Sequence, residues 1–96
     1  DGRCSFPINI VGRVVEVLNN IGVCMAALDD ISTAVTSISQ AALMLPGNED
    51  IAYNLAKAYM LCGQYTKALN AIKGIESRKC RYFFRLLSTF FHRIFD

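Results

Sequence analysis

The sequence predicts an all-α chain, about five helices stacked as antiparallel hairpins in a single domain over residues 1–96. Three observations carry that expectation. Apolar residues recur at spacings of three and four along nearly the whole chain, which is the helical period. No stretch alternates apolar and polar residues long enough to make a strand. Breakers stand between the periodic segments with few residues around them, and short connections between helices make antiparallel neighbours.

The first helix is expected over residues 9–21, where Ile10, Val11, Val14, Val15, Val17, Leu18 and Ile21 share the helical spacing. Its β-branched residues are weak helix formers, so it depends on packing. Gly22 is expected to break it. A longer amphipathic helix is expected over 24–45, with Ala27, Leu28, Ile31, Ala34, Val35, Ile38, Ala41, Ala42 and Leu45 on its apolar side. Pro46-Gly47-Asn48 reads as a turn. Asn48 can cap the next helix, and Glu49 and Asp50 suit the positive end of its dipole. That helix is expected over 49–61 and is ended by Gly63. Another follows over 64–76, and a last one over 79–95. The units are then a divergent first hairpin (9–45), a second hairpin (49–76) and a C-terminal anchoring or capping helix (79–95).

Sliding the chain by 41 residues aligns Ile10 with Ile51, Val14 with Leu55, Gly22 with Gly63, Ala27 with Ala68, Leu28 with Leu69 and Ile31 with Ile72. The expectation is a repeated hairpin whose two corners are the two glycines. The second hairpin, AYNLAKAYMLCGQYTKALNAI over 52–72, resembles a tetratricopeptide repeat through Leu55, Ala56, Tyr59, Gly63, Tyr65, Ala68 and Ile72. Upstream, Ala34, Ile38, Ala41 and Pro46 resemble the second half of a preceding repeat with its closing proline. The resemblance is best over 34–75. It departs from the family at Ala52, where a large aromatic is common, at Cys80, near which a closing proline would stand, and in the offset of 41 against the family's period of about 34. It implies a helical-repeat scaffold for protein–protein interaction.

Four cysteines, Cys4, Cys24, Cys62 and Cys80, have no zinc-ligand spacing. They are either two disulfides or buried thiols. A helix of 13 residues is about 20 Å long and a bridge needs Cα atoms within about 7 Å. In stacked hairpins with Cys24 just past the first corner, any bridges are therefore expected as Cys24–Cys62 and Cys4–Cys80.

Apolar residues make up 53% of the chain and charged residues 19%, against about 45–50% and about 25% in ordinary soluble domains. A chain of 96 residues has a large surface for its volume, so some of this apolar side chain is expected to meet a partner or a lipid. No run of 18 uncharged apolar residues argues for an ordinary transmembrane helix. The chain opens on Asp1, which is expected of a presequence-processed protein of an organelle or secretory compartment, peripheral to a membrane, or of a cut piece.

Charge is uneven. Residues 73–96 hold six basic residues and two acidic ones, whereas residues 1–72 hold four and six. The basic segment is the last helix, in which Phe83, Leu86, Leu87, Phe90 and Ile94 are expected to cap the stack. Phe84, Phe91 and Phe95 are expected as a second, partner-facing apolar stripe, with Arg81 and Arg85 beside it. Tyr53, Tyr59 and Tyr65 are expected to pack the repeat, one of them in reach of a concave face. No phosphate loop, GxSxG or HExxH occurs. His92 lacks convergent polar neighbours in sequence, and Asp29 and Asp30 are expected on a solvated face. No catalytic residue, metal or cofactor is expected.

The expected role is a non-catalytic interaction subunit of a larger assembly, membrane-bound in the manner of an energy-transducing or photosynthetic complex, docking by its C-terminal helix. The alternative is a secreted, disulfide-stapled helical protein acting on lipid head groups at a membrane surface. The charges are too few and the aromatics too crowded for nucleic acid to be the expected partner.

Overall fold

A computed structural model describes residues 8–95, with side chains over 10–93. Five helices follow in order: α1 (Ile8–Ala27), α2 (Ile31–Met44), α3 (Glu49–Leu61), α4 (Tyr65–Ile72) and α5 (Arg78–Phe95), and there is no strand among the described residues. Each helix packs on the next in sequence, and α3 also touches α1 and α5. This is the contact pattern of stacked hairpins. The slab measures 58 × 29 × 18 Å, and its thinnest dimension is close to two helix diameters of about 10 Å each.

The first corner is not where Gly22 predicts it. Helix α1 runs through Gly22 to Ala27, and the chain turns at Leu28-Asp29-Asp30, with Asp29 at φ 66°. The second corner turns at Gly63, φ 76°. Both corners are closed by the same pair of hydrogen bonds. Asp30 N–H donates to Met25 O (2.8 Å) and Asp29 N–H to Ala26 O (3.0 Å); Gln64 N–H donates to Tyr59 O (2.9 Å) and Gly63 N–H to Met60 O (3.1 Å). These are Schellman closures. Every atom of the first recurs in the second 34 residues on, so the structural repeat is 34 and not 41. Asp29 and Asp30 are exposed, as expected, but at this corner, with the Asp30 side chain accepting the Thr33 N–H at 3.3 Å as the cap of α2. Asn48 caps α3, accepting the Ile51 N–H at 3.1 Å. A Cβ at position 63 meets nothing within 4 Å, so only its left-handed backbone resists substitution. Gly63→Ala should therefore cost about 1–2 kcal/mol, read as a lowered thermal midpoint.

In the 34-residue register Gly22 corresponds to Ala56, Ala34 to Ala68 and Ile38 to Ile72, and all six are buried. Gly22 is buried because α2 crosses α1 there. A Cβ built on it would lie 2.2 Å from Ile38 Cγ1 and 3.1 Å from the Ala34 carbonyl oxygen. The core forms two clusters. The first joins Val15, Ile38, Ala41, Ile51, Leu55 and Ala58. The second joins Ala52, Ala56, Ala68, Ile72, Cys80 and Leu87. Tyr59 and Ala71 pack against both and make the two continuous.

Candidate interaction site

The chemistry-bearing side chains collect around α5 and its junctions. Ser77 opens the helix, its Oγ accepting the Cys80 N–H at 3.1 Å. The helix then places Arg78, Lys79 and Arg81 in its first turns, with no acidic residue there. Cations at a helix N-terminus oppose the macrodipole, so local stability does not account for them. Of these, Lys79 alone has an acidic partner among the described residues. It reaches Asp50 on α3 at 2.5 Å. That hydrogen bond, aided by the nearby carboxylate charges, raises its pKa above the ordinary 10.5.

On the side where α3 meets α5, Tyr53 is the centre of a small cluster. Its ring lies 5.0 Å from that of Phe83. The ammonium groups of Lys57 and Lys79 stand 5.2 and 4.9 Å from its centroid, within the range of cation–π attraction. Tyr53 thus packs the repeat, as expected, but also holds α5. Tyr65 does the same farther along, edge-on to Phe90 at 5.7 Å. Between α1 and α3, Asn54 Nδ2 donates to Asn19 Oδ1 at 3.2 Å, above a groove reaching Val23, Ala26 and Leu61.

The inward face of α5 differs in register from the expectation. Cys80 and Leu87 are buried, and Phe83 and Phe84 pack partly against the second core cluster. Leu86 and Phe90, expected to cap the stack, are exposed. Phe84 and Phe91, expected outward, are half-buried, and the Phe95 side chain lies outside the described residues. The outermost apolar residues are Tyr82, Leu86 and Phe90, 62%, 50% and 42% exposed, on one line at i, i+4 and i+8. Arg78, Arg81 and Arg85 line a cleft with Tyr82. On the other flank of α5, at the elbow with α4, lies a larger cavity of about 600 Å³ whose lining includes Arg81, Phe84 and Arg85. The exposed stripe was missed in sequence because helical spacing alone does not say which apolar face the preceding hairpin takes.

Of the two alternatives, disulfides or thiols, the structure carries free thiols at Cys24 and Cys62, both exposed, and at Cys80, which is buried; a Cys24–Cys62 pairing is expected only if bridges form. Its premise also changes, since Cys24 lies in α1 before the corner and not past it. Cys80 is buried, with its thiol directed at the Glu49 carbonyl oxygen at 3.5 Å. Cys4, and with it the Cys4–Cys80 pairing, falls outside the described residues. Glu49 and Asp50 open α3 as expected. His92 is exposed near the end of α5. Among the described residues no three His, Cys, Asp or Glu side chains are placed to hold a metal.

Helix α1 corrects one exclusion. Over Ile10–Ala27 its mean hydropathy is 1.4, long and apolar enough to cross a membrane by length and composition. Arg13 and Glu16 interrupt the uncharged run without bringing the mean down far enough. In this fold α1 packs on α2 and α3, as the first helix of the first repeat.

Comparison with known proteins agrees with the geometry. No curated protein and no solved structure matches the chain. A family model described as tetratricopeptide repeat matches residues 25–79, more than half of it, from the last turn of α1 to the start of α5. Such repeats generally mediate protein–protein interaction and are generally non-catalytic. With two hairpins closed by the same turn 34 residues apart, the chain belongs to the tetratricopeptide repeat family.

Proposed function

We propose that this protein is a non-catalytic subunit that docks onto a larger assembly through the outer face of α5. The observation that carries the reading is the line of Tyr82, Leu86 and Phe90 left in water beside Arg78, Arg81 and Arg85. Aromatic and Arg side chains dominate binding energy at interfaces. Burying an exposed Leu or Phe is worth on the order of 1.5–3 kcal/mol, so a stripe of three is a strong anchor for an apolar patch with an acidic rim. Of the anchors expected from sequence, Phe84 packs against the second core cluster on the far side of α5 from the stripe, and Phe91 is half-buried. The two hairpins are the scaffold, and the Lys79–Asp50 and Tyr53–Phe83 contacts fix α5 on them.

The test is a triple variant, Tyr82→Ser, Leu86→Ser and Phe90→Ser. Tyr82 and Leu86 are solvated, and losing the Phe90–Tyr65 ring contact costs only about 0.5–1.5 kcal/mol, so the chain should stay folded while incorporation into the native complex, followed by co-migration, falls at least about tenfold. Incorporation at the level of the unaltered chain would remove α5 as the anchor. A second reading is favoured by the interleaving of cations and aromatics along α5, which suits an anionic bilayer surface. On that reading the chain binds anionic vesicles and is released as salt rises. A chain that joins the complex and ignores vesicles fits only the first.

A further inference from the structure

The cavity at the α4–α5 elbow adjoins the docking stripe, sharing Arg81 and Arg85 with the cleft beside Tyr82, but its apolar wall is its own. Its wall is apolar, formed by Ile72 at the end of α4, Ile75 in the connection and Phe84 on α5. Its volume of about 600 Å³ falls in the range of roughly 300–1,000 Å³ typical of small-molecule sites. Three cations line it, Lys73, Arg81 and Arg85, against one carboxylate, Glu76. Arg81 and Arg85 are four residues apart and so share one face of α5. Neither makes an ion pair with any described residue. The connection that completes the wall runs into the N-terminus of α5, whose dipole adds to the positive potential. Gly74 holds the bend open at φ 80°.

We infer that this cavity binds one single-chain amphiphile with an anionic head, an aliphatic carboxylate of fatty-acid type, its tail against Ile75 and Phe84 and its head between Arg81 and Arg85. The guanidinium groups supply charge-assisted hydrogen bonds to a carboxylate. A peptide fits less well. Ser88 is the one uncharged polar side chain in the lining, and a buried peptide group left without a hydrogen bond costs about 2–7 kcal/mol, whereas an acyl chain needs no such partner. The inference goes beyond the docking reading and shares with it only Arg81 and Arg85.

The experiment is a titration of the full chain with dodecanoate below its micelle-forming concentration, followed by amide ¹H–¹⁵N NMR. One-to-one, saturable shifts are expected at Gly74, Ile75, Phe84 and Ser88. Dodecanol, of equal length without charge, should bind at least about tenfold more weakly, a comparison that needs no variant. Arg81→Ala with Arg85→Ala should weaken dodecanoate by a similar factor, and Arg81→Lys with Arg85→Lys should restore part of the loss. No saturable shift, equal binding of dodecanol, or shifts centred on Tyr82, Leu86 and Phe90 would overturn the inference. So would a chain that binds phosphatidylserine vesicles but not monomeric dodecanoate. The docking triple variant should bind dodecanoate unchanged, so the failure of one proposal does not carry the other with it.

Discussion

Ile38→Ala and Ile72→Ala will each destabilise the protein by about 2–5 kcal/mol, the range for truncating a large aliphatic side chain in a close-packed core. The two residues occupy the same place in successive repeats and are each 1% exposed. Ile38 belongs to the cluster between the hairpins, with Val15, Ile51 and Leu55. Ile72 belongs to the cluster that seats α5, with Cys80 and Leu87. The losses should therefore differ in kind. Ile72→Ala should loosen α5 first, seen as faster amide exchange over Arg78–Phe95 than over α1. Ile38→Ala should raise exchange in α1 and α2 first. Chemical denaturation gives the totals. A loss below 1 kcal/mol at either site would mean that the clusters are not close-packed.

Gly22→Ala should lower stability by about 1–3 kcal/mol through overpacking, although the same change in an open helix interior would raise it by about 1 kcal/mol. The sign is decided by what the new methyl meets. Ile38 Cγ1 at 2.2 Å and Cδ1 at 2.8 Å belong to a buried, β-branched side chain, and the Ala34 carbonyl at 3.1 Å is backbone. None can withdraw without separating α2 from α1. The double variant Gly22→Ala, Ile38→Ala removes both close carbons. Its loss should be less than the sum of the two single losses, the non-additivity expected of residues in contact. In a domain of this size each 1 kcal/mol moves the thermal midpoint by roughly 4–8 °C, so ordinary melts resolve the comparison. A rise in midpoint for Gly22→Ala would place Gly22 at a surface and restore it as a corner.

That glycine also shows how a sequence repeat can mislead. The offset of 41 and the structural offset of 34 differ by about two helical turns. Sliding a helical chain by two turns keeps apolar faces aligned, so the wrong register scores nearly as well as the right one. Within it, Gly22 falls on Gly63 and both look like breakers. The correct register pairs Gly22 with Ala56, where the shared property is smallness at a helix crossing. It pairs Gly63 with Asp29, where the shared property is a left-handed backbone. Asp is one of the few side chains that tolerates that conformation, and Asp29-Asp30 before Ile31 could have been read as a corner followed by a cap.

Residue order alone decided what is local. Helical periods, the Asn48 cap, the turn at Pro46-Gly47 and the family likeness over the second hairpin depend on neighbours within a turn or two, and each is written in adjacent residues. Long-range packing decided the rest. Which glycine turns the chain, which cysteine is buried and which stripe of α5 stays in water depend on where α2 crosses α1 and where α4 delivers the last helix. The apolar residues of α5 spread around more than one side of the helix, so more than one face could bury by periodicity. The Tyr53–Phe83 contact, the Lys79–Asp50 pair and the seat for Cys80 and Leu87 select one of them, leaving Tyr82, Leu86 and Phe90 facing out.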